Sequence, residues 1–146
     1  MRVVLDTNIL VRAAADEEGL AGRVLDGIVA GPHVLICSAY ILSEVARVLA
    51  YPRLQVRWCL NRDQIAEFET RLAAVAEITR AVPVPRIVPG DPDDDPIVQT
   101  AIGGRADVLC TRDSHLLDPA VMQYCSSQDV RILDDIELHR ILKADG

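Results

Sequence analysis

The sequence predicts an α/β fold built on a mainly parallel sheet covered by helices. Three observations lead there. Strand-length apolar runs recur along the chain, at residues 2–6, 33–37, 107–110 and 130–133. Longer segments between them repeat apolar residues every three or four positions, the helical period. Proline and glycine mark several of the joints. Strands that alternate with helices in this way call for parallel pairing with helical crossovers.

Residues 2–6 form the expected first strand. Leu20, Val24, Leu25, Ile28 and Val29 then give a helical stripe that Gly31 and Pro32 close. His33 to Cys37 reads as the second strand, and Ser38 is a favourable N-cap for a helix carrying Ile41, Leu42, Val45, Val48 and Leu49. That helix stops before Pro52. Residues 53–60 are a mixed helical stretch, after which Asn61, with Gln64 three positions on, caps a longer helix whose stripe runs from Ile65 through Phe68, Leu72 and Val75 to Ile78. Pro83, Pro85 and Pro89 bracket a short run at 86–88, at best an edge strand. The acidic turn Asp91 to Pro96 leads into a helix ending near Gly103 and Gly104. Residues 107–110 and 130–133 supply two more strands, and Asp134 or Asp135 caps a terminal helix with Leu138, Ile141 and Leu142. No repeat, linker or low-complexity stretch interrupts this, so one domain over residues 1–146 is expected.

Composition narrows the functional classes. Half of the residues are hydrophobic and mean hydropathy is +0.19, which suits a packed globule rather than a disordered binder. The formal net charge of −7 disfavours a basic sleeve that holds nucleic acid regardless of sequence. Only Trp58, Phe68 and three tyrosines are aromatic, so stacking platforms for bases are not evident. The four cysteines form no CxxC pair and there are three histidines, a poor basis for zinc or a disulfide framework. Cys37 and Cys110 end apolar runs, where a buried thiol is the usual occupant. With no signal-like start and no apolar span long enough for a membrane, the expected location is the cytoplasm.

The chemistry lies in the acids. Asp6 ends the first strand and Asp113 follows the run at 107–110, and ligands of open parallel sheets bind beyond the carboxyl ends of strands. Aspartates at strand ends also serve as loop and cap residues. Thr7, Asn8 and Thr111 are placed to bond a carboxylate or a phosphate, or to begin the next turn. Glu44 borders Ile41 and Val48 on its helix, with Arg47 three residues on as a salt-bridge alternative. Asp94 has Ile97, Val98 and Ala101 at i+3, i+4 and i+7, so it continues the core-facing stripe, while Asp93 and Asp95 point about 100° away. It is an N-cap or a ligand, and the roles are compatible. Asp91 and Asp95 suit loop shaping, capping or an outer supporting role. Like charges brought to one sheet edge are costly unless paired or bound to metal, and no lysine or arginine is obviously placed to neutralise all four. A divalent cation, and so phosphate chemistry, follows.

These residues together resemble the PIN-domain nucleases, in particular the VapC-like ribonuclease toxins of toxin–antitoxin pairs. The resemblance rests on Val3-Val4-Leu5-Asp6-Thr7-Asn8, on Ser38 followed by the helix bearing Glu44, on Asp94 seven residues before Ala101, and on Ala106-Asp107-Val108-Leu109-Cys110-Thr111-Arg112-Asp113. It implies a three-layer α/β/α fold with Asp6, Glu44, Asp94 and Asp113 around Mg²⁺ or Mn²⁺, hydrolysing an RNA phosphodiester. Asp6 and Asp94 are the expected direct ligands, with Glu44 and Asp113 binding directly or through water. It further implies an RNA substrate, a cognate antitoxin and a homodimer. Arg12, Arg47, Arg53, Arg57 and Arg112 are candidates for holding RNA, each with an ordinary surface role as the alternative.

Rival phosphate-handling folds fit less well. Phosphoaspartate phosphatases and receiver domains need a lysine at the site, whereas Lys143, in the terminal helix, is the sole lysine. There is no Gly-Lys pair for a P-loop and no G-x-S-x-G elbow for a serine hydrolase. The alternative from another class is a PIN module that binds RNA or a partner protein without cutting.

Overall fold

The computed structural model describes residues 1–83 and 95–146. Within them five strands form one parallel sheet: β1 (Arg2–Leu5), β2 (Val34–Cys37), β3 (Glu77–Ile78), β4 (Val108–Cys110) and β5 (Arg131–Leu133), in the order β3-β2-β1-β4-β5. β1 is central, and Val4 pairs with Ile36 on one side and Leu109 on the other. Its Val3, Val4 and Leu5 are fully buried, as are Ile36, Cys37, Leu109 and Cys110. This is why the inner strands read as continuous apolar runs rather than alternating ones: both faces of a parallel sheet are covered.

Eight helices accompany the strands: α1 (Thr7–Ala15), α2 (Leu20–Ala30), α3 (Ala39–Leu49), α4 (Pro52–Arg57), α5 (Arg62–Val75), α6 (Asp95–Gly103), α7 (Pro119–Ser127) and α8 (Asp135–Asp145). The strand order steps one way from β1 to β3 and the other way from β4 to β5. Right-handed crossovers then put α1 to α5 on one face and α6 and α7 on the other. The packing agrees, since α1 meets α2 and α3, α2 meets α8, and α6 lies across β1, β2 and β4. The result is the expected three-layer α/β/α architecture.

The structure corrects the reading of the sequence in three places. A helix, α1, follows β1 at once. Asp6, Thr7 and Asn8 are turn-forming residue types, yet the helix starts within them at Thr7, and its Ile9, Leu10, Val11 and Ala13 are all buried. The stripe assigned to the long helix overshoots: α5 ends at Val75, and Ile78 belongs to the edge strand β3, where it is half exposed. The turn of Pro119 at N1, with Asp118 accepting the Ala120 amide, starts α7, which the sequence reading left unassigned. The short run at 86–88 lies outside the described residues, as do Asp91 and Asp94.

Several caps form as the residue types require. Ser38 accepts the amide of Ile41, Asn61 and Gln64 make a reciprocal capping box, and Asp134 does the same with Glu137. At the corner between α1 and α2, a Cβ on Gly22 would lie 2.0 Å from the Glu17 carbonyl oxygen, so only glycine allows that approach.

Candidate functional site

The strand order reverses direction between β1 and β4, and a crevice at such a point is where open α/β sheets bind ligands. Asp6 stands at the carboxyl end of β1 on this boundary. Its amide continues the ladder, donating to the Cys110 carbonyl at 2.9 Å, and its carbonyl accepts the Ile9 and Leu10 amides to begin α1. Its side chain does not cap that helix. It turns instead toward β4, where the Thr111 hydroxyl donates to Asp6 Oδ2 at 2.7 Å.

Thr111 also ties in the second acid. Its Oγ1 accepts the Asp113 amide at 3.0 Å, so one buried hydroxyl links Asp6 and Asp113. The Asp113 carboxylate accepts the His115 amide at 2.8 Å, with the His115 ring 3.5 Å away. Burial pushes the Asp6 carboxyl above its ordinary range and the charge of Asp113 adds to that, while bonds from Thr111 and the Thr7 amide pull the other way. Asp6 is 3% exposed and has no arginine, lysine or histidine partner among the described residues.

Glu44 is placed differently. It lies on α3, partly exposed, and Arg47 grips both of its oxygens at 2.7 and 3.0 Å. That bidentate bond lowers the Glu44 carboxyl below its usual range. Arg47 also bonds the Tyr51 hydroxyl and lies over its ring. The local salt bridge foreseen as the alternative for Glu44 is therefore formed. Among the described residues, no three His, Cys, Asp or Glu side chains cluster to hold a metal ion. Asp94 and the supporting Asp91 are outside the described residues.

Of the supporting residues, Thr7 is buried in the first turn of α1 and Asn8 is exposed beside it. Two further residues escaped the sequence reading. Thr100 is fully buried and its hydroxyl reaches Ser38 Oγ at 2.8 Å, clipping α6 to the start of the helix that carries Glu44. Asp135 is 2% exposed and holds Arg112 Nε at 2.5 Å. The cap of α8 is Asp134, which leaves Asp135 free for that pair. Its signal was in the sequence: Leu138 and Leu142 fall at i+3 and i+7, the pattern that singles out Asp94.

A groove of about 430 Å³ opens beside Asp113. Arg12, Arg57 and Arg112 line it with Asn8, while Leu54 and Trp58 make an apolar wall. Arg47 is not in it, being committed to Glu44.

The donor set at Asp6 and Asp113 fits a hard divalent cation. Two carboxylates sit together, one of them buried without a cationic partner among the described residues, and such a charge is stabilised by a metal or by protonation. A family model described as PIN domain matches residues 2–115. A protein of Methanocaldococcus jannaschii, named as uncharacterized, is 28% identical over 117 residues, covering 80% of this chain and 74% of the relative. No solved structure matches the chain significantly. With the match extending from β1 past β4 to the residues around Asp113, the chain belongs to the PIN domain family.

Proposed function

We propose that this PIN domain, whose fold is of the nuclease type, is a Mg²⁺- or Mn²⁺-dependent endoribonuclease that hydrolyses RNA phosphodiester bonds. Asp6, Glu44, Asp94 and Asp113 are its acidic set, with Asp6 and Asp94 as direct ligands. The observation that carries the reading is the buried Asp6 carboxylate at the β1–β4 boundary, sharing Thr111 with Asp113 and lacking a cationic partner among the described residues. The chemistry a bound ion supplies is activation of water and compensation of charge on the phosphate.

The chain's own groups prepare for this. Thr111 fixes the direction of one Asp6 oxygen and the position of the Asp113 backbone. Thr100 and Ser38 hold α6 against the N-terminus of α3, so that α6 and the helix bearing Glu44 keep one spacing. Asp91, Thr7 and Asn8 are supporting residues of the site. We further propose a single domain spanning residues 1–146, the toxin role in a toxin–antitoxin pair with its own antitoxin, a homodimeric state and a cytoplasmic location. No helix of the described residues is long and apolar enough to cross a membrane.

The second reading, a module that binds RNA or a partner without cutting, is favoured by one observation: Arg47 already neutralises Glu44. Cleavage of a panel of labelled RNAs with Mg²⁺, Mn²⁺ or EDTA separates the two. Cleavage abolished by EDTA, by Asp6→Asn and by Asp94→Asn is expected. Folded protein, free of any co-purifying antitoxin, that cuts no RNA with either ion would favour the binding module.

A further inference from the structure

Beyond Cys110 the ladder of β4 ends, and Thr111, Arg112 and Asp113 lie in no regular element. Their placement depends on individual bonds. The junction of β5 and α8 holds this segment twice. The Thr111 amide donates to the Leu133 carbonyl at 3.0 Å, and two residues further on the Asp135 carboxylate accepts Arg112 Nε at 2.5 Å. Arg112 thus stands between Thr111 and Asp113, the residues whose bonds tie the second acid to Asp6. Capping does not account for Asp135, since Asp134 caps α8. Packing does not either. Asp135 shares the buried face of α8 with Leu138 and Leu142, where an apolar residue would sit without needing a cation. A buried ion pair is often no more stabilising than apolar side chains of the same size, but its short, charge-assisted bond fixes a direction. What it fixes here is the backbone that carries Asp113.

We propose that Asp135 is a positioning residue of the acidic site: through Arg112 it holds the Thr111–Asp113 segment so that Asp113 stays beside Asp6. The inference rests on the nuclease reading and adds to it an acid that touches neither metal nor substrate. A pair that only neutralises a buried charge would matter to stability and to nothing else. A positioning pair would matter to the local order around Asp113 and to metal affinity, even where stability is unchanged.

The test removes the pair as a unit. Arg112→Met with Asp135→Leu deletes both charges and strands no carboxylate, so the melting temperature of the full chain should change little. In EDTA, hydrogen exchange read by NMR follows the Asp113 amide, whose bond to Thr111 reports on the segment. The Val4 amide, in the central strand, reports on global unfolding. The Asp113 amide should exchange at least about tenfold faster than in the unsubstituted chain, with Val4 unmoved. Binding of Mn²⁺, followed by the paramagnetic resonance of the free ion, should weaken roughly 10- to 100-fold, the range for lost supports of metal ligands. Both readouts omit RNA, so any contact of Arg112 with substrate leaves them unmoved. Asp135→Asn keeps a neutral acceptor for Arg112 and should show a smaller loss in each; it decides the matter if the double substitution does not fold. Exchange at Asp113 that is unchanged, or that rises only in step with Val4, would overturn the proposal, as would an unchanged Mn²⁺ affinity in a chain that binds the ion. Faster exchange at Asp113 in a chain whose unsubstituted form binds no Mn²⁺ or cuts no RNA would retain the positioning role and defeat the nuclease reading. RNA cleavage by the unsubstituted chain, with exchange at Asp113 unmoved by the substitutions, would do the reverse.

Discussion

Thr111 and Asp6 are 105 positions apart in sequence and 2.7 Å apart in space, joined by a buried hydrogen bond from hydroxyl to carboxylate. The same hydroxyl accepts the Asp113 amide. The two acids at the β1–β4 boundary therefore depend on one side chain for their relative position.

Thr111→Val keeps the shape and deletes both bonds. It strands a buried carboxylate and an amide, at a cost of about 1–3 kcal/mol. For a chain of this size that corresponds to a melting temperature lower by roughly 2–4 °C per kcal/mol. Thr111→Ser should restore most of the loss. Thermal melts of the three proteins, with cleavage rates beside them, check this; equal melting temperatures for Val and Thr would refute the linking role.

Asp6 sets the pH response of the metal-free protein. Its folded carboxyl titrates above the ordinary value of 3.8 because burial disfavours the charged form. The folded state thus binds the proton more tightly than the unfolded state. This contribution to stability is greatest below pH 3.8, declines as pH rises through the raised value, and is flat beyond it. In EDTA at neutral pH, Asp6→Asn should melt above the unsubstituted chain while abolishing cleavage. Added Mg²⁺ or Mn²⁺ should raise the melting temperature of the unsubstituted chain and leave that of Asp6→Asn nearly unchanged. A lower melting temperature for Asp6→Asn in EDTA would count against the unpaired charge.

Much of this was legible beforehand because both signals are local. β1, β2, β4 and β5 announce themselves as short apolar runs, and the caps at Ser38, Asn61 and Asp134 are pairs of residues three apart. Asp6 and Asp113 were visible as acids after strands. What stayed hidden depends on distant contacts. α1 is nine residues long and starts within Asp6-Thr7-Asn8, residue types that read equally well as a turn. β3 is two exposed residues held by pairing with β2 and by the ion pair of its Glu77 with Arg2, distant contacts that periodicity cannot reveal. Thr100 looks like an ordinary polar residue until Ser38 meets it from 62 positions away. Trp58, one of few aromatics in the sequence, lines one groove with Arg12 and Arg112, which lie more than forty positions away from it.

Arg47 competes with any cation for Glu44. The pair is exposed to solvent, with side chains 54% and 25% accessible, so water and salt screen it and it contributes little to stability. Arg47→Met should change the melting temperature little yet lower the Mg²⁺ or Mn²⁺ concentration needed for half-maximal cleavage. Glu44→Gln should raise that concentration or abolish cutting. If Glu44→Gln leaves the metal dependence untouched, the salt bridge is the whole role of Glu44.

Arg112 and Asp135 form an asymmetric pair, one 42% and the other 2% accessible at the side chain. Arg112→Met leaves a buried carboxylate uncompensated and should destabilise by about 1–3 kcal/mol. Asp135→Asn frees an arginine that can turn to water, so it should cost less while loosening RNA binding. Urea unfolding of both variants gives the order, and Asp135→Asn emerging as the costlier change would contradict it.

The placement of β1 at the centre of the sheet has a consequence in time. β1 cannot gain its neighbour on the Thr111 side until residues 108–110 have been made. Asp6 is made about a hundred residues before the partner that orients it, and pairing across so long a separation is slow. Asp6 and Asp113 meet only after the chain has grown past both. The order of synthesis thus makes the pairing of these two acids a late event for the strand that carries the first of them.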